Sequence, residues 1–310
     1  MVVKVKNLVK RYKEIIALDH FNMEVDEGEV LGLLGPNGCG KTTAINCILS
    51  LLSFDKGEIE VFGKKMSPDA YDIKRQIGLV PQEVSVFGNL TVRENIDYFC
   101  GLYIYDKNLR RRFVDEAIEF VDLKDYVKFY PKKLSGGLKR RLNIACGIVH
   151  KPKLIFLDEP TVAVDAQSRN FILNGIKQLN EEGSTIIYTT HYLEEAEMLC
   201  KRIIIMDNGK DLVSGTKEEL KAMITTSEKI IVSFSEIRDE TVSEMKKLPH
   251  VIDIEKDGDD YMIKFENGFN NLTNLLEFIK EKELTYTKLH SQLPTLNDVF
   301  LELTGKELRD

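Results

Sequence analysis

The stretch EVLGLLGPNGCGKTT, residues 29–43, decides the fold class of this 310-residue chain. Residues 29–34 have the apolar composition of a buried strand, and the run TTAINCILSLL that closes and follows the stretch has a helical pattern. Between them, GPNGCGKT matches the pattern G-x-x-x-x-G-K-[ST], which binds phosphate when it joins a strand to a helix. The stretch therefore predicts an α/β domain with a phosphate-binding loop. A glycine-rich turn without a ligand is the weaker alternative.

The residues of this loop suit a nucleoside triphosphate and Mg²⁺. Glycines let the backbone wrap a phosphate with its N–H groups pointing inward, and the start of a helix adds the positive end of its dipole. Lys41 is expected to contact the β- and γ-phosphates, and Thr42 to offer Mg²⁺ a hydroxyl oxygen. The candidate nucleotide-binding residues of the loop are Gly35, Pro36, Asn37, Gly38, Cys39, Gly40, Lys41, Thr42 and Thr43.

Two acidic residues end a second apolar run, KLIFLDEP, residues 153–160. An acid at the carboxyl end of a buried parallel strand lies at the edge of the sheet where ligands bind. Asp158 suits a contact with Mg²⁺, and Glu159 suits a base that orients or deprotonates a water molecule. A solvated acidic loop is the alternative, and the phosphate-binding loop disfavours it.

Gln82 and His191 each follow a short apolar run, residues 77–81 and 184–190. Alone, either would be interpreted as an ordinary loop residue. At the ends of strands of one sheet, however, Gln82 would reach Mg²⁺ and His191 would reach the γ-phosphate.

The pattern along the rest of the chain predicts two domains, residues 1–220 and 221–310. In the first, apolar strands alternate with helices, which predicts a mostly parallel α/β sheet. In the second, the order β-α-β-β-α-β is that of a ferredoxin-like α+β domain. A last helix follows it, and its spacing predicts one apolar face formed by Leu296, Val299, Phe300 and Leu303.

Composition and charge exclude several classes of protein. The net charge of −7 and the pI near 5.5 argue against nucleic acid as a partner held by bulk charge. The five cysteines are odd in number and form no C-x-x-C pair, which favours the reduced thiols of a cytosolic protein. The N-terminus lacks the apolar segment of a signal peptide, and no apolar run approaches the ~18 residues of a membrane span. Any membrane role is therefore expected to depend on a partner.

A second glycine-rich helix start, LSGGLKRR, occupies residues 134–141. Alone it indicates a serine N-cap followed by glycines. Together with the other motifs, in this order, it resembles the signature motif of the ATP-binding subunits of ABC transporters, a resemblance that covers roughly residues 1–220. The phosphate-binding loop is then the Walker A motif. The other family positions are Tyr12 (adenine stacking), Gln82 (Q-loop), Ser135, Gly136 and Gly137 (signature), Asp158 and Glu159 (Walker B), Asp165 (D-loop) and His191 (switch histidine).

The resemblance implies ATP hydrolysis with ATP and Mg²⁺ as cofactors, on an ABC-type P-loop NTPase fold with a mixed sheet and a helical subdomain at about residues 83–149. It also implies pairing with a second ATP-binding subunit, expected as a homodimer, although the sequence leaves a heterodimer open. The two signature glycines and Ser135 would then act on the γ-phosphate of an ATP held by the other subunit. The catalytic candidates are Glu159, His191 and Gln82, and the metal candidates are Thr42, Gln82 and Asp158.

Two departures from the common family pattern are Leu138, where the signature usually has glutamine, and Ala163, where the D-loop often has glycine. Both resemble the branch that pairs with ABC-2 type integral membrane subunits, among them drug, antibiotic and ion exporters. The resemblance therefore implies a cytoplasmic chain, peripheral on the inner face of the cell membrane, that powers export through such a subunit. The candidates for contact with that subunit, for which burial in the core is the alternative, are Val84, Val86, Phe87 and Leu90.

Two rival classes and one cysteine complete the expectations. A soluble ABC ATPase acting on the ribosome or DNA would usually carry two ATPase domains or a long coiled coil, and neither pattern is present. A nucleotide-binding regulator without hydrolysis is disfavoured by Glu159. Cys39 lies beside a helix N-terminus and Lys41, which predicts a lowered thiol pKa and inhibition by thiol reagents that ATP prevents. An inert, packed thiol is the alternative.

Overall fold

The computed structural model describes residues 1–266 and 270–306, with the backbone alone described at residues 226 and 227. The contacts divide the chain after Thr216 into an N-terminal unit and a C-terminal unit. Each unit has its own hydrophobic core. Within the described ranges, every helix is too short or too polar to cross a membrane.

The strands of the N-terminal unit are β1 (Val3–Tyr12), β2 (Ile15–Val25), β3 (Val30–Leu34), β4 (Lys56–Val61), β5 (Lys64–Lys65), β6 (Ile77–Val80), β7 (Leu154–Asp158), β8 (Thr185–Thr190), β9 (Arg202–Asp207) and β10 (Lys210–Gly215). Its α-helices are α1 (Lys41–Ile48), α2 (Tyr71–Lys74), α3 (Val92–Gly101), α4 (Lys107–Phe120), α5 (Gly136–Ile148), α6 (Ala166–Glu181) and α7 (Leu193–Leu199). Short 3-10 helices lie at Lys124–Tyr126 and Pro131–Lys133.

The central sheet of this unit has the strand order β10-β9-β3-β8-β7-β6. Strands β6, β7, β8, β3 and β9 are parallel, and β10 pairs with β9 in the antiparallel sense. Every residue of β3, β7 and β8 is buried. These strands are covered on both faces, which explains their near-continuous apolar sequences. A second, antiparallel sheet has the order β2-β1-β4-β5. The core between the sheets includes apolar residues of β1, β3 and α1.

The parallel strands bring the candidate site residues to one edge of the central sheet. Strand β3 leads into the phosphate-binding loop, β7 ends at Asp158, and β8 is followed by His191. Strand β6, next to β7, leads to Gln82. In open parallel sheets, ligands bind outside the carboxyl ends of the strands.

The region between β6 and β7 is mainly helical, and side chains define where its helices begin. The N-cap Thr91 starts α3 with a capping box that involves Glu94. Asp106 caps α4, and Ser135 caps α5. Helices α4 and α5 both pack against α3.

The C-terminal unit contains α8 (Lys217–Ala222), β11 (Thr226–Phe234), α9 (Asp239–Met245), β12 (Val251–Asp257), β13 (Asp260–Glu266), α10 (Asn271–Glu281), β14 (Tyr286–Gln292) and α11 (Leu296–Thr304). Its antiparallel sheet has the order β12-β13-β11-β14, and apolar residues of α9 and α10 pack on it. This is the ferredoxin-like order of elements. The predicted fold class, an α/β domain with a phosphate-binding loop plus a small α+β domain, is confirmed.

Candidate nucleotide-binding site

The phosphate-binding loop depends on backbone conformations that favour glycine. Gly38 and Gly40 have φ values of 82° and 111°, which lie in the left-handed region. A Cβ atom on Gly35 would lie 2.3 Å from the carbonyl oxygen of Met206, so this position also lacks room for a side chain. Helix α1 begins at Lys41 without a side-chain cap on its first N–H groups. These N–H groups suit an anion.

Lys41 joins the loop to the acidic end of β7. Its Nζ atom donates hydrogen bonds to the carbonyl oxygens of Gly35, at 2.7 Å, and Pro36, at 3.1 Å. The same atom lies 2.9 Å from Oε1 of Glu159, and both side chains are only 4% exposed. A buried ion pair has a high desolvation cost, so its location inside the loop indicates a role in binding charge.

Asp158 and Thr42 form a cluster of oxygen atoms below the loop. Thr42 Oγ1 donates to Asp158 Oδ2 at 2.7 Å, and Thr189 Oγ1 donates to Asp158 Oδ1 at 2.6 Å. Hydroxyl and carboxylate oxygens are the ligands that Mg²⁺ prefers. The residues present therefore fit this ion. Thr189 was missed by the sequence analysis, although its place opposite Asp158 in the parallel register of β8 and β7 follows from the strand pairing.

Glu159 is the residue on which the other candidates converge. Its Oε2 atom accepts a hydrogen bond from Nε2 of Gln82 at 3.3 Å. Nδ1 of His191 also lies 3.3 Å from Oε2. This buried nitrogen has no hydrogen-bond partner among the residues that the structure describes. With Lys41, three predicted site residues therefore surround one carboxylate. This arrangement can orient a water molecule and take up its proton.

The buried carboxylate of Glu195, four residues after His191, was also missed by the sequence analysis. Glu195, on α7, is 2% exposed and accepts hydrogen bonds from the hydroxyls of Tyr188, at 2.7 Å, and Thr190, at 2.9 Å. Arg169, on α6, lies 3.4 Å from its other oxygen. Burial and the nearby carboxylate raise the pKa of Tyr188 well above its usual value. This network holds Tyr188 and Thr190, two of the three residues that precede His191.

The signature and D-loop residues lie at the starts of two neighbouring helices. Ser135 Oγ accepts from the N–H of Leu138 at 3.3 Å, and Asp165 accepts from the N–H of Ser168 at 2.8 Å. Among the described residues, neither side chain has a hydrogen bond or ion pair with the phosphate-binding loop. Ala163 has a φ of 59°, the left-handed conformation for which the family often uses glycine.

Tyr12 lies at the end of β1 with 44% of its surface exposed. Its ring centroid is 5.0 Å from Nζ of Lys10, which is a cation–π distance. An exposed aromatic ring of this kind can stack on a nucleotide base. The structure records no hydrogen bond or ion pair between Tyr12 and the phosphate-binding loop among the described residues.

The expectation of a lowered thiol pKa for Cys39 is wrong. The side chain is 4% exposed, and burial raises the pKa of the thiol above its usual value, an effect larger than the opposing field of Lys41. The sequence analysis counted the positive groups near the sulfur but did not include the loss of water around it. Cys39 is therefore a packed thiol inside the loop.

Comparisons with known proteins identify the family. Residues 18–162 match the family description "ABC transporter", and residues 215–304 match "ATP-binding protein DrrA1-3-like, C-terminal domain". The chain is 36% identical over 311 residues to the linearmycin resistance ATP-binding protein LnrL of Bacillus subtilis (strain 168), with 100% of both chains covered. This chain belongs to the ATP-binding proteins of ABC transporters. The resemblance predicted from the motifs is confirmed.

Another relative and two solved structures agree. The daunorubicin resistance ATP-binding protein DrrA3 of Streptomyces coeruleorubidus is 34% identical over 97% of this chain and 95% of its own. The dimeric post-hydrolysis state of the ATP-binding cassette MJ0796, bound to ADP and Pi, is 30% identical with a TM-score of 0.64, over 69% of this chain and 98% of its own. An ATP-binding subunit of an ABC transporter aligns with a TM-score of 0.66 at 26% identity, over 72% of this chain and 93% of its own. This chain is therefore an ATPase.

Proposed function

We propose that this chain powers the export of a substrate through a separate ABC-2 type integral membrane subunit. The full-length relatives support this, since LnrL and DrrA3 are by name resistance proteins for linearmycin and daunorubicin. The match to the DrrA1-3-like C-terminal domain supports it as well. In this proposal the chain is cytoplasmic and is held on the inner face of the cell membrane by its membrane subunit.

The observation that carries the catalytic part of the proposal is the convergence of Lys41, Gln82 and His191 on the carboxylate of Glu159. When ATP binds, its phosphates would draw the ammonium of Lys41 away from Glu159, because three phosphates carry more negative charge than one carboxylate. The freed carboxylate then orients a water molecule towards the γ-phosphate and accepts its proton. His191 contacts the γ-phosphate, and Tyr12 stacks on the adenine.

Mg²⁺ would be held by Thr42, Asp158 and Gln82, and it would neutralise charge on the phosphate oxygens. The role of Thr189 in this part of the proposal is to hold Asp158. Its hydroxyl donates a 2.6 Å hydrogen bond to Oδ1, which leaves the orientation of the carboxylate defined before any ligand arrives. Gln82 would offer its side-chain oxygen to the ion while its amide nitrogen keeps the hydrogen bond to Glu159.

The signature residues complete the site of a second ATP-binding subunit in this proposal. Ser135 and the N–H groups of Gly136 and Gly137 form the positive start of α5. They would contact the γ-phosphate of an ATP held by the other subunit, and Asp165 would lie beside them. A second copy of this chain is the simplest such subunit, and the dimeric cassette structures of relatives support pairing.

A groove in the N-terminal unit suits a helix of the membrane subunit. It has a volume of about 530 Å³. The apolar residues that line it include Leu51, Leu79, Pro81, Phe99 and Tyr103. Phe87 is 42% exposed, and its ring packs 4.8 Å from that of Tyr98 and 5.9 Å from that of Phe99. The side chain of Asn95 supports this surface. Its Oδ1 accepts a hydrogen bond from the N–H of Phe87, and its Nδ2 donates to the carbonyl oxygen of Phe87.

The experiment that tests this function is recovery of the tagged chain from its native cells in mild detergent, followed by mass spectrometry of the proteins that accompany it. We expect a polytopic membrane protein, and a Phe87→Ala chain that recovers less of it while binding ATP normally. Phe129→Ala is the matched control, because Phe129 is 40% exposed in the same helical region and contacts Tyr126 instead. Ribosomal or DNA-repair proteins without any membrane protein would overturn the proposal in favour of a soluble ATPase.

A further inference from the structure

The backbone around Gln82 is held by a buried arginine from α5. Nη1 of Arg140 donates a 2.6 Å hydrogen bond to the carbonyl oxygen of Gln82 and a 3.2 Å hydrogen bond to that of Pro81. The two contacts span 58 and 59 positions of the chain. The guanidinium therefore holds the backbone of the catalytic glutamine rather than its side chain.

Asn143, three residues further along α5, holds the same loop at Pro81 and Ser85. Its Nδ2 donates to the carbonyl oxygen of Pro81 at 3.2 Å, and its Oδ1 accepts from the N–H of Ser85 at 3.0 Å. Arg140 and Asn143 are three residues apart and therefore share one face of the helix. Together they hold backbone groups on both sides of Gln82.

The burial of this arginine is costly for the fold, which suggests that its position serves the reaction. Arg140 is 6% exposed and Asn143 is 3% exposed. Within residues 1–266 and 270–306, Arg140 makes no ion pair, and its hydrogen bonds go to the carbonyl oxygens of Gln82 and Pro81. Burial lowers the pKa of its guanidinium, although the field of Asp158 opposes this. A neutral side chain of similar size would pack there without desolvating a charge.

The contacts form a continuous path from α5 to the reacting groups. The helix begins at the signature residue Gly136 and bonds to the Gln82 loop through Arg140 and Asn143. The side chain of Gln82 then donates to Glu159 at 3.3 Å.

We infer that Arg140 and Asn143 are positioning residues that hold the Gln82 loop so that the side chain of Gln82 meets Glu159. They act through the backbone of the loop and do not touch the nucleotide. The inference rests on the roles proposed above for Gln82 and Glu159, and it adds that the helix carrying the signature motif sets the place of Gln82. Asn143 also lines the groove proposed for the membrane subunit.

A double-mutant cycle on the full chain tests this inference. Gln82→Ala, Arg140→Met and the double variant are compared by ATP turnover, by ADP affinity and by thermal unfolding. We expect Arg140→Met to lower kcat on the order of tenfold to a hundredfold, as misplacement of a reacting group does, while ADP binds as in the parent. In the Gln82→Ala background, Arg140→Met should change kcat by less than about twofold, because the residue it positions is gone.

Arg141→Met is the matched control, since it removes the neighbouring guanidinium of the same helix. That group packs 3.8 Å from the ring centroid of Phe171, and its described hydrogen bond goes to Asp122 and not to the Gln82 loop. The fold reductions in kcat caused by Arg141→Met and by Gln82→Ala should multiply in the double variant, as they do for independent residues. Arg140→Lys, which keeps a charged donor, should recover part of the turnover. Should Arg140→Met fail to fold, Asn143→Ala takes its place in the same cycle.

Two results would overturn the inference, and they differ in what else they overturn. If the fold reductions in kcat caused by Arg140→Met and Gln82→Ala multiply fully in the double variant, Arg140 acts independently of Gln82. The proposed function is then unaffected. If Gln82→Ala alone turns over ATP at the parent rate, both the inference and the proposed role of Gln82 are wrong. Purified chain is sufficient for all of these measurements, so the membrane subunit does not enter the interpretation.

Discussion

At the scale of the residue, Glu159 combines an unusual backbone conformation with a central place in the site. Its φ of 45° lies in the left-handed region, which glutamate rarely adopts. Its N–H donates to the carbonyl oxygen of Thr189 at 3.2 Å and to Oγ1 of the same residue at 3.0 Å. The pairing of β7 with β8 therefore holds a turn that costs about 1–3 kcal/mol, as strained turns at functional sites do. The turn directs the carboxylate towards Lys41, Gln82 and His191.

Glu159→Gln should stop turnover while preserving ATP binding, because an amide keeps the shape of the side chain but cannot accept the proton. Loss of a general base lowers kcat by ~10²–10⁴-fold. ATP should also make this variant dimerise, seen as a doubling of the 35.5 kDa mass in light scattering. Glu27→Gln, at an exposed position, is the charge-matched control and should keep full activity. Turnover by Glu159→Gln at the parent rate would show that another group is the base.

Cys39 should react slowly with thiol reagents at neutral pH. The thiolate is the reacting form, and burial raises the pKa of this thiol above its usual value. Alkylation should accelerate only above the usual pH range of thiol ionisation, or when the chain is unfolded. Because the folded chain binds this proton more tightly than the unfolded chain, the contribution of Cys39 to stability should be lost as pH rises from the usual pKa of a thiol through the raised pKa of Cys39. Fast labelling of the folded chain at pH 7, measured by mass spectrometry, would contradict the burial argument.

At the scale of the element, the N-termini of α5 and α6 lie against each other. A Cβ atom on Gly137 would lie 2.2 Å from Oγ of Ser168 and 3.3 Å from Oδ2 of Asp165. Gly136 differs, since its nearest neighbour at a Cβ position would be the carbonyl oxygen of Ala163, at 3.7 Å. One signature glycine is therefore needed for helix packing within the chain, in addition to any role at the ATP of a second subunit.

Gly137→Ala should destabilise the chain by about 1–3 kcal/mol, the usual cost of forcing an atom into a packed contact. Adding Ser168→Gly to Gly137→Ala should remove the clash. The double variant should then regain most of the stability that Gly137→Ala loses, as measured by urea unfolding. Gly136→Ala is the control, and its free energy of unfolding should stay within ~0.5 kcal/mol of the parent. If Ser168→Gly leaves the loss from Gly137→Ala unchanged, this helix contact is not the cause.

At the scale of the whole molecule, the nucleotide site belongs to one of the two units. The residues that converge on Glu159 all lie before Thr216, and the core that supports β3, β7 and α1 lies there as well. The C-terminal unit has a separate core, formed by its sheet with α9 and α10. A domain with its own core can fold alone.

A chain that ends after Thr216 should therefore fold and bind ADP with the affinity of the full chain. Isothermal titration and thermal unfolding measure the two properties. The same truncated chain with Lys41→Ala is the control, and it should lose tight binding because the charge at the β- and γ-phosphates is removed. A soluble truncated chain that fails to bind ADP would show that the nucleotide site depends on the C-terminal unit.

Local patterns predicted more of the fold than of the site. Near-continuous apolar runs identified β3, β7 and β8, because only strands covered on both faces have them. The dipeptide Asn208-Gly209 between β9 and β10 is typical of a hairpin turn, and both residues have the left-handed φ that such a turn needs, 47° and 78°. By contrast Leu303, placed by its spacing on the apolar face of α11, is 40% exposed. Spacing defines one face of a helix but does not say how much of that face is covered.

By itself, the sequence determined the phosphate-binding loop, the acids at the end of a buried strand and the order of the elements. Each of these depends on residues close together in the chain, where backbone conformation and side-chain periodicity leave a visible pattern. Only the tertiary structure decided that Gln82 meets Glu159 across 77 positions and that Thr189 holds Asp158 across 31. It also decided that water is excluded from Cys39. Long-range hydrogen bonds and burial depend on how strands pair and helices pack, and these leave no local pattern in the sequence.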